Sequence, residues 1–241
     1  MTSSISRFRL ILFGRRLMPL LTRSYISLAA LSLFAAIPTP ALADRGEPGP
    51  WVKLYNGHDL AGWHTEGNGA KLSAWQAEGE LLTCKGAAIG YLATDKEYGD
   101  FELKLDYRAP KGANSGVGIR FPPGKWPSTD GMEIQILDDK DPKYKDVEPT
   151  QLCGAIYSFV PPKAHPAKPA GEWNSMRILC QGPNIEVWIN KVEVIHENLD
   201  LHNEKGKGEL PLSKRPRSGL IGLQCHYDPI SFRRIEVRKI K

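Results

Sequence analysis

Apolar and polar residues alternate in short segments along most of the chain from Trp51 onward. The clearest segment, 101–108, places Phe101, Leu103, Leu105 and Tyr107 at every second position, and side chains two apart on a strand share a face. No stretch keeps a helical period over the ~11 residues of a mean helix. The same alternation predicts further strands at 116–121, 132–137, 175–180, 185–189, 220–225 and 232–240.

Turn residues separate these segments at 109–112, 181–184 and 227–229, and longer irregular stretches lie at 138–150, 160–170 and 198–217. Many short strands in one chain of this size imply two packed antiparallel sheets. We therefore expect an all-β fold that forms a single domain.

The segment 133–138 carries the most specific chemistry of any predicted strand. Glu133 and Gln135 should share one face, while Met132, Ile134 and Ile136 enter the apolar layer behind it. A carboxylate and an amide are then presented side by side. Because an ordinary solvated sheet face has the same pattern, the polar residues on neighbouring strands decide between the two interpretations.

Several polar residues have strand positions from which they can join that face. Asn114 and Arg120 are an even number of positions apart, so on a regular strand their side chains share one face. Gln224 and His226 are two apart on their strand and share a face in the same way. A face that bears arginine, glutamate, glutamine and histidine suits a sugar-binding and catalytic surface. Each residue also has a structural alternative: an ion pair for Arg120, and a hydrogen-bonded strand end for His226.

The first 43 residues have the layout of a secretory signal peptide. Five arginines and no acidic residue accompany an apolar run at 26–37, and the segment ends in Ala41-Leu42-Ala43. The run is too short to span a membrane. We expect cleavage before Asp44 and a secreted or periplasmic domain of residues 44–241, with an uncleaved N-terminal anchor as the alternative.

Removal of this leader changes the charge balance of the protein. All five of its charged residues are arginines, so the remaining 27 Lys and Arg balance the 27 Asp and Glu. A formally neutral chain without a basic, aromatic-rich run gives no reason to expect nucleic acid as a partner. The oligomeric state stays open.

Four cysteines, at 84, 153, 180 and 225, leave the redox state undecided. An even number in an exported protein permits one or two disulfides. Cys180 and Cys225 lie in apolar strand patterns, where buried free thiols are an equal alternative. No C-x-x-C pair indicates structural zinc.

Ordered sequence blocks resemble a family of bacterial exported enzymes. The blocks are LYNGHDLAGW at 54–63, WQAEGELL at 75–82, YGDFEL at 98–103, NSG at 114–116, EIQILD at 133–138, GAIY at 154–157, GEWN at 171–174, GLQ at 222–224 and FRRI at 232–235. Together they are similar to the 3-keto-disaccharide hydrolase family, also described as 3-keto-glucoside 1,2-lyase and 3-keto-2-hydroxy-glucal hydratase.

This resemblance implies a concanavalin A-like β-sandwich, or jelly roll, and a carbohydrate as the binding partner. It implies a substrate already oxidised to a ketone at the third carbon of the sugar. That ketone acidifies the hydrogen on carbon two, so the glycosidic bond can break by elimination. Lyase, hydratase and net hydrolase activities stay open as alternatives.

Such an elimination needs a base, a group that holds the enolate oxygen, and an acid for the leaving oxygen. By the resemblance we expect Glu133 or His226 as the base and the other as the acid, with Arg120 as the enolate binder. A divalent cation held by Glu133 and His226 is the alternative electrophile, and no other cofactor is expected. The expected substrate contacts are Gln135, Gln224, Asn114, Asp138, Tyr157 and Trp126.

Two other functions stay open. The spacing of Glu133, Gln135 and Asp138 is similar to the catalytic strand of laminarinase-type β-glucanases, which implies a retaining hydrolase with Glu133 as nucleophile and Asp138 as acid. Gln135 departs from that pattern, which has aspartate there. A non-catalytic lectin-like module would instead bind glycans through tryptophans. The pattern favours core positions for Trp173 and Trp188, and the other candidates are Trp63 and the loop residue Trp126.

Overall fold

Thirteen strands and short helices form the secondary structure in a computed structural model that describes residues 47–86, 88–206 and 210–241. No helix in these ranges is long and apolar enough to cross a membrane. The predicted signal peptide, 1–43, lies outside the described residues. The strands are β1 Val52–Lys53, β2 Trp63–Glu66, β3 Trp75–Glu78, β4 Leu81–Lys85, β5 Ile89–Thr94, β6 Phe101–Arg108, β7 Asn114–Phe121, β8 Met132–Leu137, β9 Asn174–Gln181, β10 Asn184–Ile189, β11 Val192–Asn198, β12 Leu220–His226 and β13 Pro229–Lys239.

One four-residue α-helix, α1 at Pro127–Asp130, begins after Trp126 with a proline in its first turn, a position where the missing N–H costs nothing. Five single-turn 3₁₀ helices lie in the described loops, at Leu72–Ala74, Pro142–Tyr144, Pro149–Gln151, Leu199–Leu201 and Leu212–Lys214. The two that fall in the segment 138–150 and just after it show that this stretch is folded into tight turns.

Two antiparallel sheets face each other. The large sheet has eight described strands in the order β11-β10-β9-β6-β13-β4-β3, with β1 also paired to β13, and the small sheet has five in the order β2-β5-β12-β7-β8. The prediction of an all-β, concanavalin A-like sandwich, or jelly roll, of two antiparallel sheets is confirmed. Most sheet neighbours are distant in sequence, so the order of strands depends on tertiary packing.

The inner faces of the sheets form one apolar core. Phe101, Leu103 and Leu105 of β6 enter it from the large sheet at no more than 2% exposure, as the alternation predicts. The small sheet contributes Val117, Ile119, Ile134, Ile136, Ile221 and Leu223. Burial of these side chains leaves Asn114 of β7, Glu133 and Gln135 of β8, and Gln224 and His226 of β12 on the outer face of the small sheet.

A disulfide between Cys84 of β4 and Cys225 of β12 joins the two sheets. It therefore fixes β12, whose Gln224 lies on the outer face, to the opposite side of the core. Cys153 and Cys180 are buried free thiols, and burial raises their pKa values to about 11 and about 12. The structure thus has one disulfide, and Cys225 is bonded while Cys180 is free.

Candidate active site

The carboxylate of Glu133 lies on the outer face of the small sheet, is only 4% exposed, and accepts hydrogen bonds from two other strands. The Tyr91 hydroxyl donates to its Oε2 atom at 2.8 Å, and Nε2 of Gln224 donates to Oε1 at 3.0 Å. Gln224 Nε2 also lies 2.7 Å from the Tyr91 hydroxyl oxygen. The three side chains form a buried network that fixes the carboxylate in one orientation.

Tyr91 is a hydrogen-bond donor throughout the ordinary pH range. Its burial, followed by the negative charge of Glu133, raises the pKa of the phenol well above its usual value. The Tyr91 hydroxyl therefore keeps its proton and continues to donate to Glu133.

Glycines on β7 make room for Glu133. Gly116 pairs with Gln135 and Gly118 pairs with Glu133 across the strands β7 and β8. A Cβ atom on Gly116 would lie 2.6 Å from Oε1 of Glu133, closer than heavy atoms approach without displacement. The block at 114–116 therefore includes a glycine because the carboxylate lies over its backbone.

Two buried amide oxygens accompany the carboxylate. Gln135 Nε2 donates to Oδ1 of Asn114 at 3.3 Å, and Gln135 and Gln224 are 3% and 5% exposed. The Oε1 atoms of both glutamines have no hydrogen-bond partner among the described residues. Because an unpaired buried acceptor costs roughly 1–3 kcal/mol, these atoms favour a ligand that presents hydroxyl donors.

These residues line one pocket of about 100 Å³. His226 enters it from the end of β12, and Tyr157 lies beside β8, where its backbone N–H donates to the Glu133 carbonyl at 2.9 Å. The Tyr157 hydroxyl accepts from Nε2 of Gln151 at 3.1 Å. The complete lining is Ile89, Asn114, Trp126, Ser128, Glu133, Gln135, Tyr157, Gln224 and His226.

Trp126 forms one wall of this pocket and is held from two sides. Its ring centroid lies 5.7 Å from that of Tyr91 in an edge-to-face arrangement, and a Cβ on Gly67 would lie 3.0 Å from the indole. The loop before it is tied to β2, because the Gly124 N–H donates to Oε2 of Glu66 at 3.0 Å. Oε1 of Glu66 in turn lies 3.0 Å from Nε2 of His64.

Seven of the nine residues predicted for the site thus lie together around one pocket, which agrees with a small-ligand site of mixed polarity. They are Glu133, His226, Gln135, Gln224, Asn114, Tyr157 and Trp126. Their individual roles stay predictions.

Comparison with known proteins assigns the chain to a family. Residues 50–238 match the domain described as 3-keto-alpha-glucoside-1,2-lyase-like. The chain belongs to this family. A relative from Bacteroides thetaiotaomicron named 3-keto-disaccharide hydrolase is 25% identical over 226 residues, which are 78% of this chain and 78% of the relative.

Two crystal structures from Parabacteroides distasonis ATCC 8503, both provisionally named glycosyl hydrolases, share the fold. The first is 30% identical with a TM-score of 0.70 and covers 79% of this chain and 99% of its own. The second is 25% identical with a TM-score of 0.68 and covers 80% of this chain and 94% of its own. The resemblance drawn from the sequence blocks is therefore confirmed.

Arg120 does not lie in the pocket of this family member. It is fully buried, and its guanidinium donates to the carbonyls of Gly99 at 2.9 Å and Gly182 at 2.8 Å and pairs with Asp100 at 2.9 Å. Its predicted role as the enolate binder is therefore wrong. The structural alternative, an ion pair, describes it.

A β-bulge explains the error. The register between β7 and β12 shifts at Arg120, whose φ of 50° is unusual for a residue with a side chain. The extra residue reverses the alternation, so Phe121 takes the outer face, where its ring centroid lies 5.9 Å from that of Tyr91. Strict alternation from Asn114 cannot predict this reversal.

Asp138 is also outside the pocket. Its Oδ2 accepts from the Gly112 N–H at 2.8 Å, and it borders a separate depression near His165. Residues five apart on a regular strand face opposite sides, and the pairing of β8 with β7 has no bulge. The predicted substrate contact of Asp138 is therefore wrong, and the Glu133–Asp138 pair required by the glucanase alternative is not assembled.

Of the other tryptophans, Trp63 is buried and donates from Nε1 to the Leu54 carbonyl at 2.9 Å, so it offers no stacking face. Trp173 and Trp188 are partly exposed and lie against arginine side chains outside the core. The predicted core positions of these two residues are therefore wrong.

Tyr91 is the functional residue that the sequence pattern does not indicate. It lies on β5, whose burial on both faces removes the alternation that marks other strands. The available signal is the short run Ile89-Gly90-Tyr91-Leu92, which begins three residues after Gly86. Ser128 and Ile89 also line the pocket, and no sequence pattern indicates either of them.

A cation site in this pocket would depend on Glu133 and His226, the lining residues of the types that most often bind metals. In the described residues, three side chains of metal-binding type come close together elsewhere, at Glu186, Glu193 and His196. Glu193 and His196 are exposed. A divalent cation held by Glu133 and His226 stays a prediction, with amide oxygens of the pocket as the further oxygen ligands available.

Proposed function

We propose that this protein cleaves 3-keto-glucosides or 3-keto-disaccharides by base-assisted β-elimination, with net hydrolysis when water adds to the product. One observation carries the proposal: the buried carboxylate of Glu133 is oriented by Tyr91 and Gln224 in the same pocket as the His226 imidazole. Membership of the lyase-like family and the relative named 3-keto-disaccharide hydrolase support the substrate class.

In the proposed reaction Glu133 removes the proton from carbon two of the keto-sugar. Both of its oxygens accept hydrogen bonds from neutral donors, which suits the ionised form that a base requires. The electron pair of the C2–H bond forms the enolate. The enolate then restores the ketone and forms a double bond between carbons one and two, while the bond between carbon one and the glycosidic oxygen breaks and that oxygen leaves with the bonding pair. His226, as the acid, donates a proton to the leaving oxygen.

The enolate oxygen needs donors other than Arg120. Among the pocket residues, Tyr157 through its hydroxyl and Asn114 through its amide nitrogen can donate to it. The buried Oε1 atoms of Gln135 and Gln224 accept from sugar hydroxyls, which favours a polyhydroxylated ring over an apolar ligand. A divalent cation on Glu133 and His226 is the alternative electrophile.

The test is incubation of the protein with a 3-keto-glucoside and with its unoxidised parent, each with and without a chelator. We expect aglycone release from the keto-sugar alone, with a 2-hydroxy-3-keto-glucal as the first product. A loss of rate with chelator that is restored by a divalent metal would assign the electrophile to a cation. Release from the parent alone would contradict elimination, and no release from either would favour a binding module.

Glu133→Gln keeps the size of the side chain but removes the base. We expect its rate to fall by at least about 10²-fold, a typical contribution of general base catalysis. The matched control is Glu97→Gln, because Glu97 is exposed on the loop after β5. Equal activity of both variants would contradict a catalytic role for Glu133.

We also propose that the protein is exported, with cleavage before Asp44. The Cys84–Cys225 disulfide supports an oxidising compartment, since disulfides are rare in reducing ones. Intact-mass measurement of the protein recovered outside the cytoplasm tests this, because residues upstream of Asp44 would reveal an uncleaved anchor.

A further inference from the structure

Two buried carboxylates hold pairs of arginines on the outer face of the large sheet. Glu102 of β6 is 2% exposed and forms ion pairs with Arg177 of β9 and Arg238 of β13. Each carboxylate oxygen of Glu102 therefore orients one guanidinium, and the surface above it is formed by the two arginines.

Asp106, two residues further along β6, repeats this arrangement. It is 4% exposed and accepts from Nε of Arg233 at 3.0 Å and from Nε of Arg234 at 2.7 Å. Arg234 has a φ of 51° at a bulge of β13, which allows two consecutive arginines to contact the same carboxylate. Arg233 contacts Asp106 through Nε, so its terminal amino groups are not the atoms that hold Asp106, whereas Arg234 uses both Nε and a terminal nitrogen.

Indole rings order three of these arginines further. The guanidinium carbon of Arg177 lies 4.1 Å from the ring centroid of Trp188, and that of Arg233 lies 4.1 Å from Trp173. Arg238 lies 4.7 Å from the centroid of Trp51. Cation–π contacts together with the buried carboxylates restrict side chains that are otherwise flexible, so binding an anion costs less side-chain entropy.

The charge on this face is unbalanced. The outward positions of β6, β9 and β13 carry six cations against three carboxylates, Glu102, Asp106 and Glu236, the first two of which are buried. Acidic residues appear at the sheet margin, at Glu186 and Glu193. A groove of about 580 Å³ lies on this face. Its lining combines four cations, Lys104, Arg177, Lys191 and Arg234, with Ser175, Trp188 and two carboxylates, Asp106 and Glu236, each of which pairs with one of these cations.

We propose that this groove binds an anionic polysaccharide, whose carboxylate or sulfate groups pair with the ordered arginines. A planar guanidinium matches carboxylate and sulfate oxygens, while Ser175 and Trp188 offer a hydroxyl and an aromatic surface to the sugar rings. Only the choice of a sugar polymer rests on the proposed function. The groove and the pocket lie on opposite outer faces of the sandwich, so both can be occupied at once.

The test is affinity electrophoresis of the full chain in gels that contain polygalacturonate, uncharged dextran or double-stranded DNA. We expect retardation by polygalacturonate that weakens with salt, and little by dextran. The double variant Arg177→Gln, Arg234→Gln should bind polygalacturonate about tenfold more weakly, because exposed charge-assisted contacts are lost. Each buried carboxylate keeps one arginine in this variant, Arg238 on Glu102 and Arg233 on Asp106.

The matched control is Lys96→Gln, Lys111→Gln, which removes the same charge from exposed positions outside the groove. It should bind within about twofold of the parent protein. If the arginine variant unfolds at a lower temperature, Lys191→Gln tests the groove independently, because Lys191 is an exposed lining residue. We expect this variant also to bind polygalacturonate more weakly than the control. Equal losses in the control and groove variants would overturn the proposal, as would no retardation by polygalacturonate.

Trp188→Leu separates a sugar polymer from any polyanion. We expect it to weaken binding to polygalacturonate more than binding to DNA, because it removes the surface for sugar rings as well as the support of Arg177. DNA binding as strong as polygalacturonate binding, with both changed equally or neither changed by Trp188→Leu, would overturn the carbohydrate assignment. Turnover of the keto-sugar should be unchanged in every groove variant, so a failure here is distinguishable from a failure of the proposed reaction.

Discussion

Tyr91 of β5 donates its hydroxyl hydrogen to Oε2 of Glu133 at 2.8 Å, across a sheet in which β12 and β7 separate the two strands from which they come. Beside Gln224, which contacts both side chains, the strands between them carry Gly116, Gly118 and Gly222, and these glycines leave space for the contact. The orientation of the proposed base therefore depends on a tyrosine from the far side of the sheet.

Tyr91→Phe should lower kcat about 10-fold or more with a smaller change in KM, because the carboxylate loses a donor that orients it while the apolar ring remains. Steady-state kinetics on the keto-sugar measure this. Tyr98→Phe is the control, since Tyr98 is partly buried and outside the pocket lining. Equal kinetics for the two variants would show that the hydroxyl of Tyr91 does not matter.

Gly116→Ala should reduce activity more than stability. The new Cβ would lie 2.6 Å from Oε1 of Glu133, so the end of that side chain must move while the backbone conformation of residue 116, which has no positive φ, is open to alanine. Gly99→Ala is the control, because its nearest contacts are at 3.8 Å. The measurements are turnover and thermal unfolding, and a fully active Gly116→Ala variant would contradict the positioning of Glu133 described here.

Arg120→Ala should unfold more easily rather than lose a catalytic group. It leaves the carbonyls of Gly99 and Gly182 without their donor and Asp100 without its ion-pair partner, with the Gly182 N–H still donating to Asp100. We expect the free energy of unfolding to fall by about 3 kcal/mol, the lower end for broken buried pairs because Asp100 is partly exposed. Denaturant titration measures this loss, and a variant with unchanged stability and abolished turnover would restore Arg120 as a catalytic candidate.

Asp138→Asn should keep both stability and turnover. Its side-chain oxygen can still accept from the Gly112 N–H, and the residue lies outside the pocket. A rate on any glycoside that falls by about 10²-fold or more, as for the loss of a general acid, would revive the retaining hydrolase alternative.

His64 should make stability depend on pH. Desolvation lowers the pKa of its imidazole, but the hydrogen bonds and charges of Glu66 and Asp95 outweigh it, so the folded pKa lies above the usual 6.5. The stabilisation is complete below pH 6.5 and is lost as the pH rises through the folded value. We expect unfolding free energy to decrease across that interval, and His64→Gln to flatten this slope. A slope that persists in His64→Gln would assign it to another group.

Reduction of the disulfide should destabilise the fold. Cys84 and Cys225 are 141 residues apart, and a link across so long a loop restricts the unfolded chain. Cys84→Ser, Cys225→Ser should lower the free energy of unfolding by about 2–5 kcal/mol, measured by denaturant titration. Reductant should have this effect on the parent protein and on Cys180→Ala, whose changed residue is a free thiol, but not on the double serine variant.

The strand at Met132–Leu137 shows what local sequence determines. A period of two places Glu133 and Gln135 on one face and Ile134 and Ile136 on the other, whatever the rest of the chain does. The same rule puts Gln224 and His226 on the outer face of β12. The site residues that lie on regular strands were therefore predictable from alternation. The ordered sequence blocks predicted the family.

Tertiary structure decided which strands adjoin and where alternation fails. That β5 pairs with β12 and brings Tyr91 to Glu133 depends on contacts between residues 42 apart in sequence, which no local pattern encodes. The bulge at Arg120 is fixed by partners at Gly99, Asp100 and Gly182, which hold a conformation that the residue alone disfavours. Local periodicity thus determined the faces of the strands, and long-range packing determined which faces form the site.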